Sequence, residues 1–301
     1  MRYGDGWKSL ALKYKDMMKF ALVLLLTPTA GLAQSTFSAG SPYAYVANAG
    51  WLNFLPNATV GAVVTETYLT GYAYGANFGW VRLGYVRPDN YHTYSNLIST
   101  DFGVNVSATG LLTGYAYGAN IGWINFEQTH GKPRIDPFTG IFTGFAYSAN
   151  LGWISLDTPM SNLITSTITA PDSDGDGIST AWEFEKFGGV GTATATSDFD
   201  KDGISDFQEY LAATDPKNAA DSFKITSISH ATGTTTTTLT FTSKPSRLYR
   251  VERDTDLVGI WTDSGFGNFA AAAGVTTTKS ITHPAGLKLF FRASAIRPLQ
   301  P

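Results

Sequence analysis

The feature that most constrains this chain is a fourteen-residue pattern written four times without a gap: Ser41–Phe54, Thr70–Leu83, Thr113–Phe126 and Thr143–Leu156. Every copy carries an aromatic residue, Ala, Tyr, then Ala-Asn-x-Gly-Trp, and repetition on this scale dictates the architecture before any other signal is weighed. Inside a copy, large and small residues alternate. Tyr72 and Tyr74 share one face of an extended segment, and Gly71, Ala73 and Gly75 share the other. Tyr115 and Tyr117, and Phe145 and Tyr147, repeat the arrangement. The Asn-x-Gly step supplies residues that accept positive φ, as a hairpin turn requires. The tryptophan segment then returns as a second strand.

The asparagines Asn48, Asn77, Asn120 and Asn150 are 29, 43 and 30 residues apart, so the unit is about thirty residues long with an insertion near 84–98. Upstream, residues 103–107 alternate and 108–110 form a turn, giving three short antiparallel strands per unit. Four such meanders predict a sandwich, a stacked sheet or a propeller-like ring. The tryptophans are expected in the core, where aromatic area is worth most. Tyr72, Tyr74, Asn77, Tyr115, Tyr117 and Asn120 are the candidates for a repeated ligand such as a polysaccharide. The unit resembles the Gly-Tyr-Ala-Trp-x-x-Asn-x-Gly-Trp-Ile repeats of secreted bacterial proteins, with tyrosine here in most copies where those units often have tryptophan. That resemblance implies no activity.

Residues 1–33 hold Met18-Lys19, an apolar run from Phe20 to Leu26, Pro28 and a small-residue ending at Ala33. This is the form of a secretory signal peptide, with cleavage expected after Ala33 and translation starting at Met1, Met17 or Met18. The apolar run is too short to span a bilayer, and the mature chain is expected to lack a transmembrane segment. There are no cysteines, which removes disulfide scaffolds, thiolate metal sites and cysteine nucleophiles. Export without cysteine points to a bacterial cell envelope or exterior.

Charge divides the remainder. Residues 34–171 carry four basic and six acidic residues, 172–221 three and twelve, and 222–301 nine and four, for net charges of −2, −9 and +5. These steps mark the expected domains: a repeat β-domain (34–171), an acidic pair of loops (172–221) and a terminal β-domain (222–301). The net charge of the whole chain, −3, excludes a generally basic nucleic-acid binder.

The acidic region is the strongest chemical signal. Asp172, Asp174, Asp176, Ile178, Thr180 and Glu183 stand at positions 1, 3, 5, 7, 9 and 12 of one loop. Asp198, Asp200, Asp202, Ile204, Asp206 and Glu209 repeat them 26 residues later. Calcium takes six to eight oxygens in a flexible shell. Alternate carboxylates, Gly at position 6 (Gly177, Gly203), the Ile178 and Ile204 carbonyls and a closing Glu supply them, so two calcium ions are expected. Thr180 makes the first loop the less acidic and the expected weaker site. Short helices are predicted over 181–187 and 206–212, sharing a core of Trp182, Phe184, Phe187, Phe207, Tyr210 and Leu211. The loops resemble thrombospondin type 3 calcium repeats and EF-hand-like bacterial relatives. That resemblance implies calcium-dependent rigidity between extracellular modules. The isoleucine lies one place earlier than in intracellular EF-hands, which argues against a groove-opening sensor.

Residues 222–299 read as five or more strands, including 223–229, 235–241, 248–253, 276–282 and 287–293, and predict a small immunoglobulin- or fibronectin-like β-sandwich. No nucleophile elbow, phosphate loop or His-Glu-x-x-His occurs. A hydrolytic carboxylate pair would have to come from Glu66, Asp101, Glu127 and Asp136. The expectation is therefore a mainly β, secreted, calcium-binding structural or adhesion protein without catalysis. Its expected partners are an extracellular polysaccharide, a cell-surface protein or further copies of itself. The alternatives are a carbohydrate-binding protein and a hydrolase of unfamiliar type.

Overall fold

The computed structural model describes residues 35–57, 60–127, 129–158, 161–231 and 233–300. The signal-peptide expectation falls on residues outside these. The fold is mainly β with two helices among the described residues. Each repeat copy is a hairpin. The strands are β1 (Tyr43–Val46) and β2 (Gly50–Asn53), β3 (Tyr68–Gly75) and β4 (Gly79–Arg82), β5 (Leu112–Gly118) and β6 (Gly122–Asn125), and β7 (Phe145–Ser148) and β8 (Gly152–Ser155). The four hairpins pair edge to edge in the order β2-β1-β8-β7-β6-β5-β4-β3, and β2 pairs with β3 to close the circle. The repeats thus form an eight-stranded antiparallel barrel, in place of the sandwich, stacked sheet or propeller-like ring expected from pattern.

Closure decides which face goes inward. The buried residues are the small ones, Ala44, Ala73, Ala116 and Ala146, together with one aliphatic per hairpin: Leu52, Val81, Ile124 and Ile154. A narrow barrel has room for side chains only when large and small alternate around it. The aromatic rings therefore stand outside. The tryptophans Trp51, Trp80, Trp123 and Trp153 are 41–48% exposed, which corrects their expected place in the core. Each leans edge-on against the tyrosine opposite it, at 5.0 Å from Tyr45 and Tyr74, 4.9 Å from Tyr117 and 5.1 Å from Tyr147.

The turns plug one end of the barrel, and their residues compensate in volume. Phe78, Ile121 and Leu151 sit over Gly75, Gly118 and Ser148, whereas the first copy has Ala49 with Val46. A Cβ on Gly75 would lie 2.2 Å from the Phe78 ring, and one on Gly118 2.6 Å from Ile121 Cγ1. The glycines ending the turns, Gly50, Gly79, Gly122 and Gly152, have φ of 70–87°. The preceding asparagines join the turns head to tail. Asn48 Nδ2 donates to Leu151 O (3.3 Å), Asn77 to Ala49 O (3.0 Å), Asn120 to Phe78 O (3.1 Å) and Asn150 to Ile121 O (3.0 Å). Four hydrogen bonds thus circle the barrel mouth. At the far end Phe54, Leu83, Phe126 and Leu156 complete the core with Phe37, Phe142 and Leu163.

Two helices follow, α1 (Thr180–Phe187) and α2 (Asp206–Ala212), close to their predicted limits. The terminal region has two sheets. One is β9 (Ile225–His230), β10 (Thr236–Thr242) and β14 (Thr276–Thr282). The other centres on β11 (Leu248–Asp254), which pairs with β12 (Thr262–Asp263), β13 (Phe269–Ala270) and β15 (Phe290–Ile296). Leu239, Phe241 and Ile281 of the first sheet share a buried cluster with Tyr249 and Val251 of the second. The last strand begins three residues later than expected, and Leu287 is exposed.

The plug gives a direct test. Gly75→Val should destabilise the protein by about 1–3 kcal/mol through overpacking. Combined with Phe78→Ala, which reproduces the Val46 and Ala49 pairing, it should cost less than Phe78→Ala alone. Urea unfolding of the two single variants and the double variant measures this. Additive losses would show that the two positions do not share one space.

Candidate metal centre

Both acidic loops fold by the same hydrogen-bond rules. The first carboxylate of each accepts two backbone N–H groups: Asp172 from Gly175 (2.8 Å) and Gly177 (2.9 Å), and Asp198 from Lys201 (2.8 Å) and Gly203 (2.9 Å). The carboxylate at position 5 accepts from position 7, Asp176 from Ile178 and Asp202 from Ile204, both at 2.8 Å. Gly177 and Gly203 both have φ of 95°, a conformation open to glycine at little cost. These contacts gather Asp172, Asp174 and Asp176, and likewise Asp198, Asp200 and Asp202, so that one oxygen from each lies within 4.8 Å of the others.

The helices place the closing glutamates near enough to feel the charge of these clusters, but outside the groups whose oxygens lie within 4.8 Å of one another. Glu183 and Glu209 are fully buried. One oxygen of each is anchored, Glu183 Oε1 by Gly191 N–H (3.0 Å) and Glu209 Oε1 by the Thr214 hydroxyl (3.1 Å). The other oxygen, Oε2 in both, is buried without a hydrogen-bond partner, as are Asp176 Oδ2 and Asp200 Oδ2. Buried acceptors are normally satisfied, so the matched Oε2 orphans of Glu183 and Glu209, at position 12 of both loops, call for a partner, while Asp176 and Asp200 stand at positions 5 and 3. Burial, with the nearby charges of Asp174, Asp176 and Asp172, pushes Glu183 up to about 7. Burial and Asp200, Asp202 and Asp206 do the same to Glu209, also to about 7. Crowded carboxylates around a buried acceptor suit a hard divalent cation with an all-oxygen shell.

Position 9 also shapes the loops. The Thr180 hydroxyl accepts Ser173 N–H (2.9 Å), and Asp206 Oδ1 accepts Phe199 N–H (3.1 Å), so both close the loop onto its own second residue. Ile178 is fully buried in the cluster of Trp182, Ala193 and Tyr210, against which Phe187, Phe207 and Leu211 pack, while Ile204 is half-buried. Phe184, expected in this core, instead stacks on Tyr91 of the insertion at 4.6 Å.

The other candidates have structural partners or stand on the barrel surface. Asn77 and Asn120 belong to the turn ring. Tyr74 and Tyr117 are exposed, Tyr72 and Tyr115 half-buried. Of the carboxylates considered for hydrolysis, Glu66 is ion-paired with Arg297 (2.8 Å) and accepts the Tyr210 hydroxyl. Asp101 accepts Ser95 and Asp89 N–H groups, and Asp136 accepts Phe138 N–H. Sequence reasoning missed the Glu66–Tyr210–Arg297 cluster because its members are up to 231 positions apart. Among the described residues no helix is long and apolar enough to cross a membrane. No protein-family model matches the chain, and neither the curated proteins nor the solved structures compared with it gave a match.

The raised glutamates set a pH dependence. Without metal, the folded protein holds protons on Glu183 and Glu209 up to about pH 7, whereas the unfolded chain releases them in the ordinary carboxylate range. Stability from these groups is therefore present at low pH and lost as pH rises through 7. A bound cation reverses this by neutralising the ionised pair. The rise in Tm on adding 1 mM calcium should grow from pH 5 to pH 8 in differential scanning calorimetry. A rise that is flat or shrinks over that range would contradict the assignment.

Proposed function

We propose that this is an exported, non-catalytic modular protein in which two calcium ions stiffen the junction between a β-barrel and a terminal β-module. The observation that carries the reading is the pair of buried, unpartnered Oε2 atoms of Glu183 and Glu209 beside the two aspartate clusters. Calcium suits these loops better than magnesium, because the donors are many, flexible and all oxygen. Asp172, Asp174, Asp176 and Glu183 would hold one ion through carboxylate oxygens and Asp198, Asp200, Asp202 and Glu209 the other, with the Ile178 and Ile204 carbonyls adding to each. Thr180 and Asp206, at position 9 of the two loops, belong to the same shells and also hold the loops shut through Ser173 and Phe199. The terminal unit is read as a small sandwich of the immunoglobulin or fibronectin type, and the whole as a surface or adhesion protein.

The neighbours of the loops support a junction role. Tyr210 follows Glu209, donates its hydroxyl to Glu66 at 3.1–3.2 Å and lies under the Arg297 guanidinium at 4.9 Å. Arg247 caps α2 through Leu211 O (2.7 Å) and Tyr210 O (3.0 Å). On the other loop, Phe184 stacks on Tyr91, and Glu185 meets His92 at 3.3 Å. Residues from both β-modules thus meet the two short helices that calcium would order.

Isothermal titration of the purified protein should find two calcium ions per chain. Glu183→Gln should weaken one site and Glu209→Gln the other by at least tenfold, with Glu209→Gln also lowering the Tm more because Tyr210 adjoins it. Binding of fewer than two ions by the unaltered protein, or unchanged binding in both variants, would overturn the reading.

A further inference from the structure

We propose that the cleft where the barrel, the two helices and the terminal region meet binds a small organic carboxylate, with Arg247 as the group that receives it. This does not rest on the calcium reading. The cleft has a volume of about 460 Å³, within the range of small-molecule sites. Its walls come from distant parts of the chain. Val106, Ile135 and Ile168 line it from the barrel side, Trp182 from α1, and Arg247 and Arg297 from the terminal region. The apolar wall and the two arginines therefore face one shared space.

The charges that line this space do not balance. Lys186, Arg247 and Arg297 stand against Glu66 and Glu185. Glu66 is taken by Arg297 at 2.8 Å, in a pair whose side chains are only 21% and 11% exposed. Glu185 meets Lys186 at 3.5 Å and His92 at 3.3 Å. Arg247 is left over, with no ion pair among the described residues. Burial lowers its guanidinium from the ordinary value, Glu66 opposes that shift and Arg297 adds to it, so both arginines feel a single carboxylate. A partly buried cation without its own counter-charge is costly, and a bound anion relieves that cost.

The donors of Arg247 specify the kind of anion. Backbone carbonyls take three of its five N–H groups: Nε donates to Leu211 O (2.7 Å), Nη2 to Tyr210 O (3.0 Å) and Nη1 to Ser246 O (3.3 Å). One N–H on each Nη remains. A planar carboxylate accepts two such donors side by side, which gives it direction as well as charge. The same three bonds hold the guanidinium in place before any ligand arrives, so little side-chain freedom is lost on binding. The size of the cleft sets the rest of the ligand. An inorganic anion would leave most of 460 Å³ unfilled, with Val106, Ile135, Ile168 and Trp182 facing water. A carboxylate joined to a body of several carbon atoms covers that wall and still places its charge at Arg247.

The test is isothermal titration of the purified protein, in calcium, with hexanoate and with glucuronate, which separate an aliphatic acid from a sugar acid as the source of the carboxylate. Hexanol and glucose serve as their uncharged counterparts, and phosphate as an inorganic anion. At least one of the two carboxylates is expected to bind at one site per chain, at least tenfold tighter than its uncharged counterpart. Arg247→Lys, which keeps the charge and loses the fork, should weaken that binding at least fivefold. Ala108→Trp adds bulk at an exposed position on the cleft wall and leaves Arg247 and its bonds to α2 untouched. It should weaken binding at least tenfold with the far-UV circular dichroism unchanged, which separates loss of the site from loss of the fold. The proposal is overturned by no binding of either carboxylate at millimolar concentration, by equal binding of the uncharged counterpart, by binding of phosphate alone, or by carboxylate binding that both variants leave unchanged.

Discussion

The narrowness of the barrel interior governs the rest of this structure. Eight short strands enclose space for one aliphatic side chain per hairpin, so the opposite strand must carry Ala44, Ala73, Ala116 or Ala146. Because side chains alternate along a strand, small residues inward force the intervening positions outward. Those positions are aromatic. The tryptophans and tyrosines then pack on each other across the hairpin surface, where edge-to-face contacts recover part of the stabilisation that burial would have given. The surface chemistry of the protein follows from the steric limit on its interior.

Closure also explains the repeat. A hairpin alone is marginal in water, and an open row of four would leave two strand edges exposed. Joining β2 to β3 and β1 to β8 removes both edges, and the asparagine ring ties the turns at one mouth. The covariation of Val46 with Ala49, and of Gly75 with Phe78, shows four non-identical copies filling one shared volume. Beyond the barrel, the chain joins its modules by polar contacts through α2: Glu66 from the barrel side, Tyr210 from the helix, and Arg297 and Arg247 from the terminal sheets. Glu66 and Arg297 pair with one another, while Arg247 donates to backbone carbonyls of α2.

Local features were legible in the sequence and closure was not. The hairpins, their Asn-x-Gly turns, both helices and the two aspartate clusters follow from spacing alone. A barrel, a sandwich and a propeller blade use the same alternating hairpin, and only inter-hairpin register distinguishes them. The outward place of the tryptophans is hidden from the sequence for the same reason. Burial is the better prior for an isolated Trp, but Trp51 shares its strand with Leu52, and only one of the two can face a closed interior. The bonds of Thr180 and Asp206 to Ser173 and Phe199 of their own loops are set by the fold of each loop and do not show in the spacing. The Glu66 cluster left no local trace, being assembled from three distant parts of the chain.

In the proposed function, calcium in the acidic loops holds the barrel and the terminal sheets together. Hydrogen–deuterium exchange of the purified protein, with calcium and after chelation, tests it most directly. Chelation should raise exchange in residues 172–216 and, with it, in the segments those helices touch, 65–68, 91–94 and 246–249. The paired strands of the four hairpins should stay protected. Faster exchange confined to the loops, or spread evenly over the barrel, would contradict a calcium-held junction.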